Sequence, residues 1–410
     1  MGDSRRLRRG ALAAVGALCM LPCASSAQTN SPQCVPRTDP PGVGLTLVKT
    51  ETPDDRTSLF SFRSTAIGDA WTPDGLMQAR VIVPQQYLTH PRRRFPVVYH
   101  LHGTGNTATT WDLGDVEKFV LGTTPVILVL PDGGKTSGYT DWVGTPVSSG
   151  SQAAPPAWDT WQNRELVPWV DAHFRTNGHR AIAGSSMGGF GSIAYTERHP
   201  ELYDAAASLS GAVDIEQPSG KVVAPLIWSP CAFGDPVLDA DNWHANNPTA
   251  QVEKLRGKSL YVQVGNGLPG EYDTPATAGA GALEVLIRQM TLSFIDALNV
   301  ANIPVTVRLY GNGTHPDGVG PTRFYDFDGM RLFLKQAMPV ITTTRCRMTY
   351  RLPRRARRVR LTVDGERHTF RRHGRRIRFT IRSTANAAHR IHITARRYSR
   401  TARVTGCPMR

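Results

Sequence analysis

The 410-residue sequence predicts an α/β fold, a doubly wound and mostly parallel sheet, with a small antiparallel β-domain after it. Continuous apolar, β-branched runs alternate with helical periodicity between residues 59 and 336, as buried parallel strands and covering helices require. Beyond residue 340, apolar residues alternate with arginine or threonine, which is typical of antiparallel hairpins. The charge of the chain changes sign at the same boundary.

Hydrophobic patterning predicts the elements of the larger part. Alternating apolar and polar residues predict early strands at residues 59–63 and 78–83, and residues 28–50 are expected to be irregular. Continuous apolar runs predict buried strands at residues 96–101, 125–130, 181–183, 205–209, 260–264 and 305–309. Helical periodicity predicts helices at residues 161–174, 187–199, 283–298 and 322–336.

The net charge of +15 is distributed very unevenly. Residues 341–410 carry 21 Arg, no Lys and two acidic residues, a net charge of +19, whereas residues 28–340 carry a net charge of −7. We therefore predict a signal peptide at residues 1–27, an α/β domain at 28–340 and a basic β-domain at 341–410. No apolar run is long enough for a conventional spanning helix, which excludes a multi-pass membrane protein.

Residues 341–410 contain two turn signals, Asp364-Gly365 and His373-Gly374, between alternating strands. This domain is expected to have one apolar and one arginine-rich face, which suits an anionic cell-wall polymer or membrane surface. Nucleic acid is disfavoured because the few aromatic residues are spaced as core residues. A merely solvated arginine-rich face remains the alternative.

The N-terminus has the features of an export signal. Four arginines precede an apolar stretch at residues 10–21, and Ser25-Ser26-Ala27 predicts cleavage after Ala27. Four cysteines then remain in an oxidising compartment, which favours disulfides. Of the three connectivities, we expect Cys34–Cys231 and Cys346–Cys407. No metal or organic cofactor is implied by the sequence.

Residues 184–188, Gly-Ser-Ser-Met-Gly, match G-x-S-x-G between a predicted strand and a predicted helix. A nucleophilic serine at such a turn needs a strained backbone and small residues two positions away on either side. This context predicts Ser186 as the nucleophile. A plain glycine-rich structural turn is the weaker interpretation.

A serine hydroxyl needs a base, which follows the nucleophile and the acid along the chain in this kind of fold. His315 follows the predicted strand at 305–309 and is the candidate. Three carboxylates, Glu271, Asp273 and Glu284, follow the strand at 260–264, and each could orient the imidazole. Backbone N–H groups of Met187 and Thr104 are the candidate donors to the oxyanion.

At this point the chain resembles the esterase-D-like α/β-hydrolases, and within them the antigen 85 mycolyltransferase branch. The resemblance covers residues 97–336. Its motifs are Gly184–Gly189, Asp141-Trp142, Trp243, Asn247-Pro248-Thr249, residues 261–267, Leu283-Glu284 with Arg288, and residues 312–315. It implies an α/β-hydrolase fold, Glu284 as the triad acid, and Thr104 and Met187 as oxyanion donors.

The chain departs from that branch near the acceptor site. His102 and Gly105 stand where the branch has Asp and Arg, and Pro316-Asp317 replaces Ser-Trp after the histidine. The sugar acceptor site is therefore not reproduced. We expect His102 and Trp142 to contact substrate, with Trp111, Trp158 and Trp161 as further cleft candidates, although core packing is the commoner fate of tryptophan.

These features together predict a secreted serine carboxylic-ester hydrolase that works through an acyl-enzyme on Ser186. The first alternative is acyl transfer to a carbohydrate or lipid hydroxyl, which would use the same triad. The second alternative is an inactive wall-binding protein whose arginine-rich domain carries the function.

Overall fold

The computed structural model describes residues 29–109, 124–270, 273, 278–315, 333, 337, 344–354, 356–383, 388–395 and 398–405. The strands up to residue 315 are β1 (Cys34–Pro36), β2 (Leu45–Glu51), β3 (Thr57–Ser64), β4 (Met77–Ile82), β5 (Phe95–Leu101), β6 (Ile127–Pro131), β7 (Gly144–Pro146), β8 (Thr176–Ser185), β9 (Ala205–Leu209), β10 (Ser259–Val264) and β11 (Thr306–Leu309). The α-helices are α1 (Gln85–Thr89), α2 (Trp158–Thr160), α3 (Val167–His173), α4 (Met187–Arg198), α5 (Pro218–Ile227), α6 (Ala240–Asn246) and α7 (Gly281–Val300). Short 3₁₀ segments cover Asp69–Trp71, Val147–Ser149, Pro248–Leu255 and Ala278–Ala280.

Nine of these strands form one sheet in the order β11-β10-β9-β8-β5-β6-β4-β3-β2. The six strands from β11 to β6 are parallel to their neighbours, whereas β4, β3 and β2 continue the sheet in antiparallel pairs. The predicted doubly wound, mostly parallel sheet is confirmed. Its parallel part brings the carboxyl ends of β8, β9, β10 and β11 to one edge.

The central strands are buried on both faces, and most of their buried positions are apolar. In β5, Val97 and Tyr99 pack into one hydrophobic cluster and Val98 into the cluster on the opposite face. Helix α7 buries a single stripe instead, with Ile287, Met290, Thr291, Phe294 and Leu298 recurring every three or four residues. Continuous apolar runs therefore form the strands inside the fold, and runs with one apolar stripe form the helices that cover them.

The region before residue 52 differs from the sequence prediction. Residues 28–50 were expected to be irregular, yet the chain forms β1 and β2 there. Strand β2 is the outermost strand of the sheet and is exposed at nearly every position, so it has no apolar alternation to reveal it. Strand β1 pairs with β7 outside the main sheet.

Two other regions also differ from the expected pattern. The predicted helix at 161–174 is a π-helical turn, Trp161–Leu166, followed by α3. Helices α5 and α6 lie in the connection between β9 and β10, where no element was predicted. The predicted helix at 322–336 lies almost wholly outside the described residues, as does the predicted signal peptide.

A disulfide joins Cys34 in β1 to Cys231, as the sequence predicted. It fastens the first described segment of the chain to the connection between β9 and β10. Cys346 is also disulfide-bonded, and its expected partner, Cys407, lies outside the described residues.

Residues 344–405 form antiparallel strands: β12 (Thr344–Arg351), β13 (Arg360–Val363), β14 (Glu366–Arg367), β15 (Arg371–His373), β16 (Arg376–Ser383), β17 (Ala388–Ala395) and β18 (Tyr398–Thr405). They make a three-stranded sheet, β12-β16-β15, and a four-stranded sheet, β14-β13-β17-β18. Asp364-Gly365 connects β13 to β14, and Gly374 follows β15, so both turn signals lie where hairpins form. These sheets share a hydrophobic cluster of their own.

Within the described residues, none of the helices combines the length and apolar character needed to cross a membrane.

Candidate active site

Ser186 lies at the sharp turn between β8 and α4. Its backbone is strained, with φ 55° and ψ −117°, a conformation that a non-glycine residue adopts only when its surroundings enforce it. The Ser186 N–H donates to the carbonyl of Leu209 at the end of β9 (2.9 Å). The turn is therefore held by the neighbouring strand, and it lifts the serine above the carboxyl edge of the sheet.

The glycines of the motif are required by close backbone approaches. A Cβ on Gly184 would lie 2.4 Å from the carbonyl carbon of Gly188, and a Cβ on Gly188 would lie 2.2 Å from the carbonyl oxygen of Leu101. A side chain at position 184 would force the end of β8 away from α4, and one at position 188 would push α4 away from β5. The steric reason for the sequence motif is thus present at both positions.

The imidazole of His315 lies within hydrogen-bonding distance of the Ser186 hydroxyl. Its Nε2 lies 2.8 Å from Ser186 Oγ, and its Nδ1 lies 2.7 Å from Glu284 Oε2. Ser186 and His315 are only slightly exposed, and Glu284 is fully buried. The structure therefore brings the three residues into one continuous chain of hydrogen bonds.

Glu284 stands in the first turn of α7, where the helix dipole favours a negative charge. Besides His315, its carboxylate accepts hydrogen bonds from Ser210 Oγ (2.8 Å) and from the Gly265 N–H (2.7 Å). Both bonds go to Oε1, so they hold the carboxylate with its other oxygen, Oε2, facing the imidazole. Ser210 and Gly265 directly follow β9 and β10, so the acid is held by the ends of two parallel strands.

Asp273, one of the three candidate acids, anchors the loop of the histidine rather than its ring. Its two carboxylate oxygens accept the Thr314 hydroxyl (2.6 Å) and the Thr314 N–H (3.0 Å), and Oδ2 also accepts the Gly270 N–H. Asp273 thus fixes the residue before His315. Glu271, the third candidate, lies outside the described residues.

The loop after β5 lies against the nucleophile. A Cβ built on Gly103 would be 3.5 Å from Ser186 Cβ, so the backbone passes directly over the serine. No described residue accepts a hydrogen bond from the Thr104 N–H, and the buried Thr104 hydroxyl also has no partner among the described residues. Met187 is the first residue of α4, and its N–H is one of the unbonded donors at a helix start.

His102 is held inside this loop, with 1% of its surface exposed. The Gly133 N–H donates to His102 Nε2 (2.8 Å), so the proton of the neutral ring is on Nδ1, which donates to the Gly103 carbonyl (2.9 Å). Tyr139 donates its hydroxyl to the His102 carbonyl. Both ring nitrogens are bonded to the backbone, which leaves neither of them for the substrate contact expected from the sequence.

Trp142 is packed in the core. Its indole N–H donates to the Ser137 carbonyl (2.9 Å), and its ring meets Trp71 edge to face. Trp158 and Trp161 are also buried, and Trp111 lies outside the described residues. The three described tryptophans are packed in the core, which is the commoner fate of their residue type.

Sequence reasoning missed the residues that orient the triad. Ser210 and Thr314 have short polar side chains at the ends of strands, and Gly265 contributes only its backbone. Their position directly after β9, in the loop after β11 and directly after β10 is the one signal that could have identified them. Among the described residues, no group of three or more histidine, cysteine or acidic side chains is arranged to hold a metal.

The arrangement can perform nucleophilic acyl chemistry. An imidazole within hydrogen-bond distance of a serine can remove its proton, and a buried carboxylate on the other ring nitrogen stabilises the resulting imidazolium. Unbonded backbone N–H groups next to the same serine can stabilise a developing oxyanion by donating hydrogen bonds to it.

Comparisons with known proteins agree with this geometry. The family model Esterase, described as "Putative esterase", matches residues 72–315, a segment that ends at His315. The chain is 32% identical over 276 residues to Esterase Rv1288 of Mycobacterium tuberculosis, which covers 64% of this chain and 56% of that relative's length. It is 28% identical over 239 residues to the diacylglycerol acyltransferase/mycolyltransferase Ag85B of Mycobacterium intracellulare, covering 54% of this chain and 69% of that protein.

Among solved structures, an S-formylglutathione hydrolase from Agrobacterium tumefaciens superposes with a TM-score of 0.54 at 18% identity, over 72% of this chain and 99% of that chain. At this sequence identity the superposition supports the similarity of fold and nothing further. The family match spans more than half of the chain. The chain therefore belongs to the Esterase family of α/β-hydrolases.

Proposed function

We propose that this enzyme is a serine carboxylic-ester hydrolase that forms an acyl-enzyme on Ser186. The observation that carries the proposal is the hydrogen-bond chain from Ser186 Oγ through His315 to Glu284, with distances of 2.8 Å and 2.7 Å. The carboxylate, imidazole and hydroxyl each have the partner that their role needs. Family membership supports the same reaction class.

In the first half-reaction, Ser186 Oγ attacks the ester carbonyl while its proton moves to His315 Nε2. The Nδ1–H of His315 remains hydrogen-bonded to Glu284, whose charge stabilises the imidazolium. The carbonyl oxygen becomes an oxyanion and accepts hydrogen bonds from the N–H groups of Thr104 and Met187. Collapse of the tetrahedral intermediate breaks the C–O bond, and His315 gives its proton to the departing alcohol.

In the second half-reaction, a water molecule replaces the alcohol. His315 takes one proton from this water as its oxygen attacks the acyl carbon. Collapse of the second intermediate breaks the bond between the acyl carbon and Ser186 Oγ, and His315 returns the proton to that oxygen. The products are a carboxylic acid and the free enzyme. No step requires a group that the chain itself does not supply.

Acyl transfer is the second candidate, favoured by the similarity to an acyltransferase/mycolyltransferase. In that reaction a carbohydrate or lipid hydroxyl would take the place of water, and the triad would act identically. Comparing the products of a short-chain ester with and without sugar acceptors separates the two. Acylated sugar in excess of free acid would assign the chain to acyl transfer.

We also propose that the chain is exported after cleavage behind Ala27 and that its basic part, residues 341–410, holds it at an anionic envelope surface. The disulfide Cys34–Cys231 supports an oxidising compartment. N-terminal sequencing of protein from the culture medium should begin at Gln28. A sequence that begins at Met1 would contradict export by cleavage.

The decisive experiment is labelling with a fluorophosphonate probe, followed by peptide mapping. We expect one labelled residue, Ser186, and complete loss of labelling in Ser186→Ala. Ser185→Ala is the matched control, because it removes the adjacent buried hydroxyl, which has no partner among the described residues, and should keep the label. Absence of both label and ester hydrolysis would favour the inactive wall-binding protein instead.

A further inference from the structure

The three-stranded sheet of the C-terminal part presents a surface that is rich in arginine. We call it the basic face and define it by eight exposed residues: Arg347, Thr349, Arg351, Arg371, His373, Arg376, Arg378 and Thr380. Their alternating positions place all eight on one side of the sheet. The other side carries Met348, Ile377 and Phe379, which are buried in the hydrophobic cluster.

The strand register sets like charges directly opposite each other. Arg351 pairs with Arg376, and Arg371 pairs with Arg378 across the next pair of strands. Side chains opposite each other in this way lie about 5 Å apart at Cβ, and equal charges there destabilise the sheet. The hydrophobic side of the sheet must therefore hold together strands whose exposed side chains repel each other.

Nothing described in the chain neutralises these charges. None of the five arginines of the basic face forms a hydrogen bond or ion pair with a described residue. Two other arginines of the same region behave differently, because Arg372 donates to the Gly374 and Ala356 carbonyls and Arg375 to the Leu352 carbonyl. Arginines that support the fold thus have backbone acceptors, and those of the basic face have none.

The side chains of the basic face disfavour two classes of partner, a membrane that it would insert into and a nucleic acid with unpaired bases. It offers guanidinium groups, two threonine hydroxyls and an imidazole, and the exposed large apolar residues of the described chain all lie before residue 310. A surface that inserts into a membrane needs an apolar side, and a surface that reads unpaired bases needs aromatic platforms. The basic face provides only charge and hydrogen-bond donors.

We propose that the basic face binds a linear, base-free polymer with regularly spaced phosphate groups. Arg376 and Arg378, two positions apart on β16, lie about 6.8 Å from each other, and Arg347 and Arg351 on β12 lie about twice as far apart. Neighbouring strands lie about 4.8 Å apart, so positive charges recur along the face at multiples of one spacing. Tetrahedral phosphate can accept from guanidinium groups of two strands at once, and arginine binds it through two parallel hydrogen bonds. This binding is independent of the ester chemistry and does not need a reactive Ser186.

Binding of inorganic polyphosphate to the full-length protein tests the proposal, with affinity measured across a series of salt concentrations. Five phosphate contacts predict a slope of about −3.5 for log affinity against log salt, by analogy with single-stranded polyanions. Arg351→Gln, Arg376→Gln and Arg378→Gln together should reduce the slope to about −1.4. The matched control changes Arg360, Arg390 and Arg403 on the four-stranded sheet to Gln and should leave the slope nearly unchanged.

Several outcomes would overturn the proposal. Equal losses in the two triple variants would mean that affinity follows net charge and not the basic face. Tighter binding to poly-glutamate of matched length, to double-stranded DNA or to phosphatidylglycerol vesicles would assign the surface to another partner. Absence of polyphosphate binding at low salt would also overturn it.

A second measurement keeps the test valid if the triple variant loses its fold, which circular dichroism would reveal. Arginine-selective modification of the unaltered protein with phenylglyoxal, read by mass spectrometry, should be slowed by polyphosphate at Arg351, Arg376 and Arg378. Arg390 and Arg403 should react at the same rate with and without it. Uniform protection of all five would contradict the proposal.

Discussion

Arginine serves opposite purposes in the two regions of this molecule. Before residue 316 it is tied into the fold: Arg198 bonds to Asp159, Asn246 and the Tyr139 carbonyl, and buried Arg37 bonds to three backbone carbonyls. On the basic face, Arg351 and Arg376 lie opposite each other without a described acceptor. The comparison teaches that the first region uses these arginines to position its own backbone, whereas the basic face of the second region keeps its arginines available at the surface.

Because of this contrast, we expect mutations in the two regions to affect different measurements. Substitutions of buried polar groups around the triad should change kcat and leave polyphosphate binding intact. Substitutions on the basic face should do the reverse. Each prediction below can therefore be scored with both measurements, from the largest expected effect to the smallest.

Glu284→Gln should lower kcat by about 10⁴-fold, because the amide can no longer stabilise the imidazolium of His315. The matched control is Glu197→Gln, a second buried glutamate whose pKa burial raises well above its ordinary value. Glu197 lies in the last turn of α4, at the opposite end of the helix from Ser186, so the exchange should change kcat little. Steady-state kinetics on a short-chain ester checks both, and a small effect of Glu284→Gln would remove it from the triad.

His102→Leu should lower kcat by roughly 100-fold with little change in KM, as expected when an oxyanion donor is misplaced. The variant frees the Gly103 carbonyl and the Gly133 N–H, so the peptide that presents the Thr104 N–H can turn. His102→Asn, which keeps a donor near the position of Nδ1, should recover part of the loss. A rise in KM with kcat unchanged would instead indicate direct substrate contact.

Asp273→Asn should lower kcat by about tenfold, less than Glu284→Gln, because it loosens the loop of His315 without removing the charge beside the ring. One of the two bonds to Thr314 loses its acceptor. The ratio of the two variants measured in parallel decides the assignment. If Asp273→Asn alone abolished activity, Asp273 would be the triad acid.

Acid should lower the free energy of unfolding of the first region, because His100 is buried in its neutral form. Burial lowers the pKa of His100 to about 3, with His102 adding to the effect, whereas an unfolded histidine has a pKa near 6.5. The unfolded chain therefore binds a proton first as the pH falls, so stability that is present above pH 6.5 is lost progressively toward pH 3, on the order of 5 kcal/mol.

Urea unfolding at pH 7 and pH 4 measures this loss. All eight tryptophans precede residue 250, so their fluorescence reports on the first region alone. The midpoint should fall less between the two pH values in His100→Gln than in the unaltered protein. Equal shifts in both would show that His100 contributes nothing to acid sensitivity.

The parts of the site that depend on local sterics were predictable from sequence. Ser186 was predicted because the turn requires Gly184 and Gly188, and both close approaches exist in the structure. His315 was predicted because the loop after the last parallel strand opens at the same edge of the sheet. Residue type and order along the chain did not decide which of three carboxylates is the triad acid. The distance from each carboxylate to the imidazole depends on the tertiary path of a long connection.

Several features could not be predicted because local side-chain patterns do not encode them. The two bonds of His102 go to backbone groups of Gly103 and Gly133, and the pattern of side chains contains no trace of them. Strand β2 was missed because an exposed edge strand has no buried face. Helices α5 and α6 were missed because they are short and interrupt a loop whose composition is mixed.

The bridge between Cys34 and Cys231 also constrains the order of assembly. Its two sulfurs are 197 positions apart in sequence, so the segment that contains β1 cannot be locked until residue 231 has left the ribosome and reached an oxidant. In a reducing cytosol this disulfide should not form, so the segment that contains β1 should remain unattached and accessible to proteases. Production through a secretory route is the practical choice for this protein.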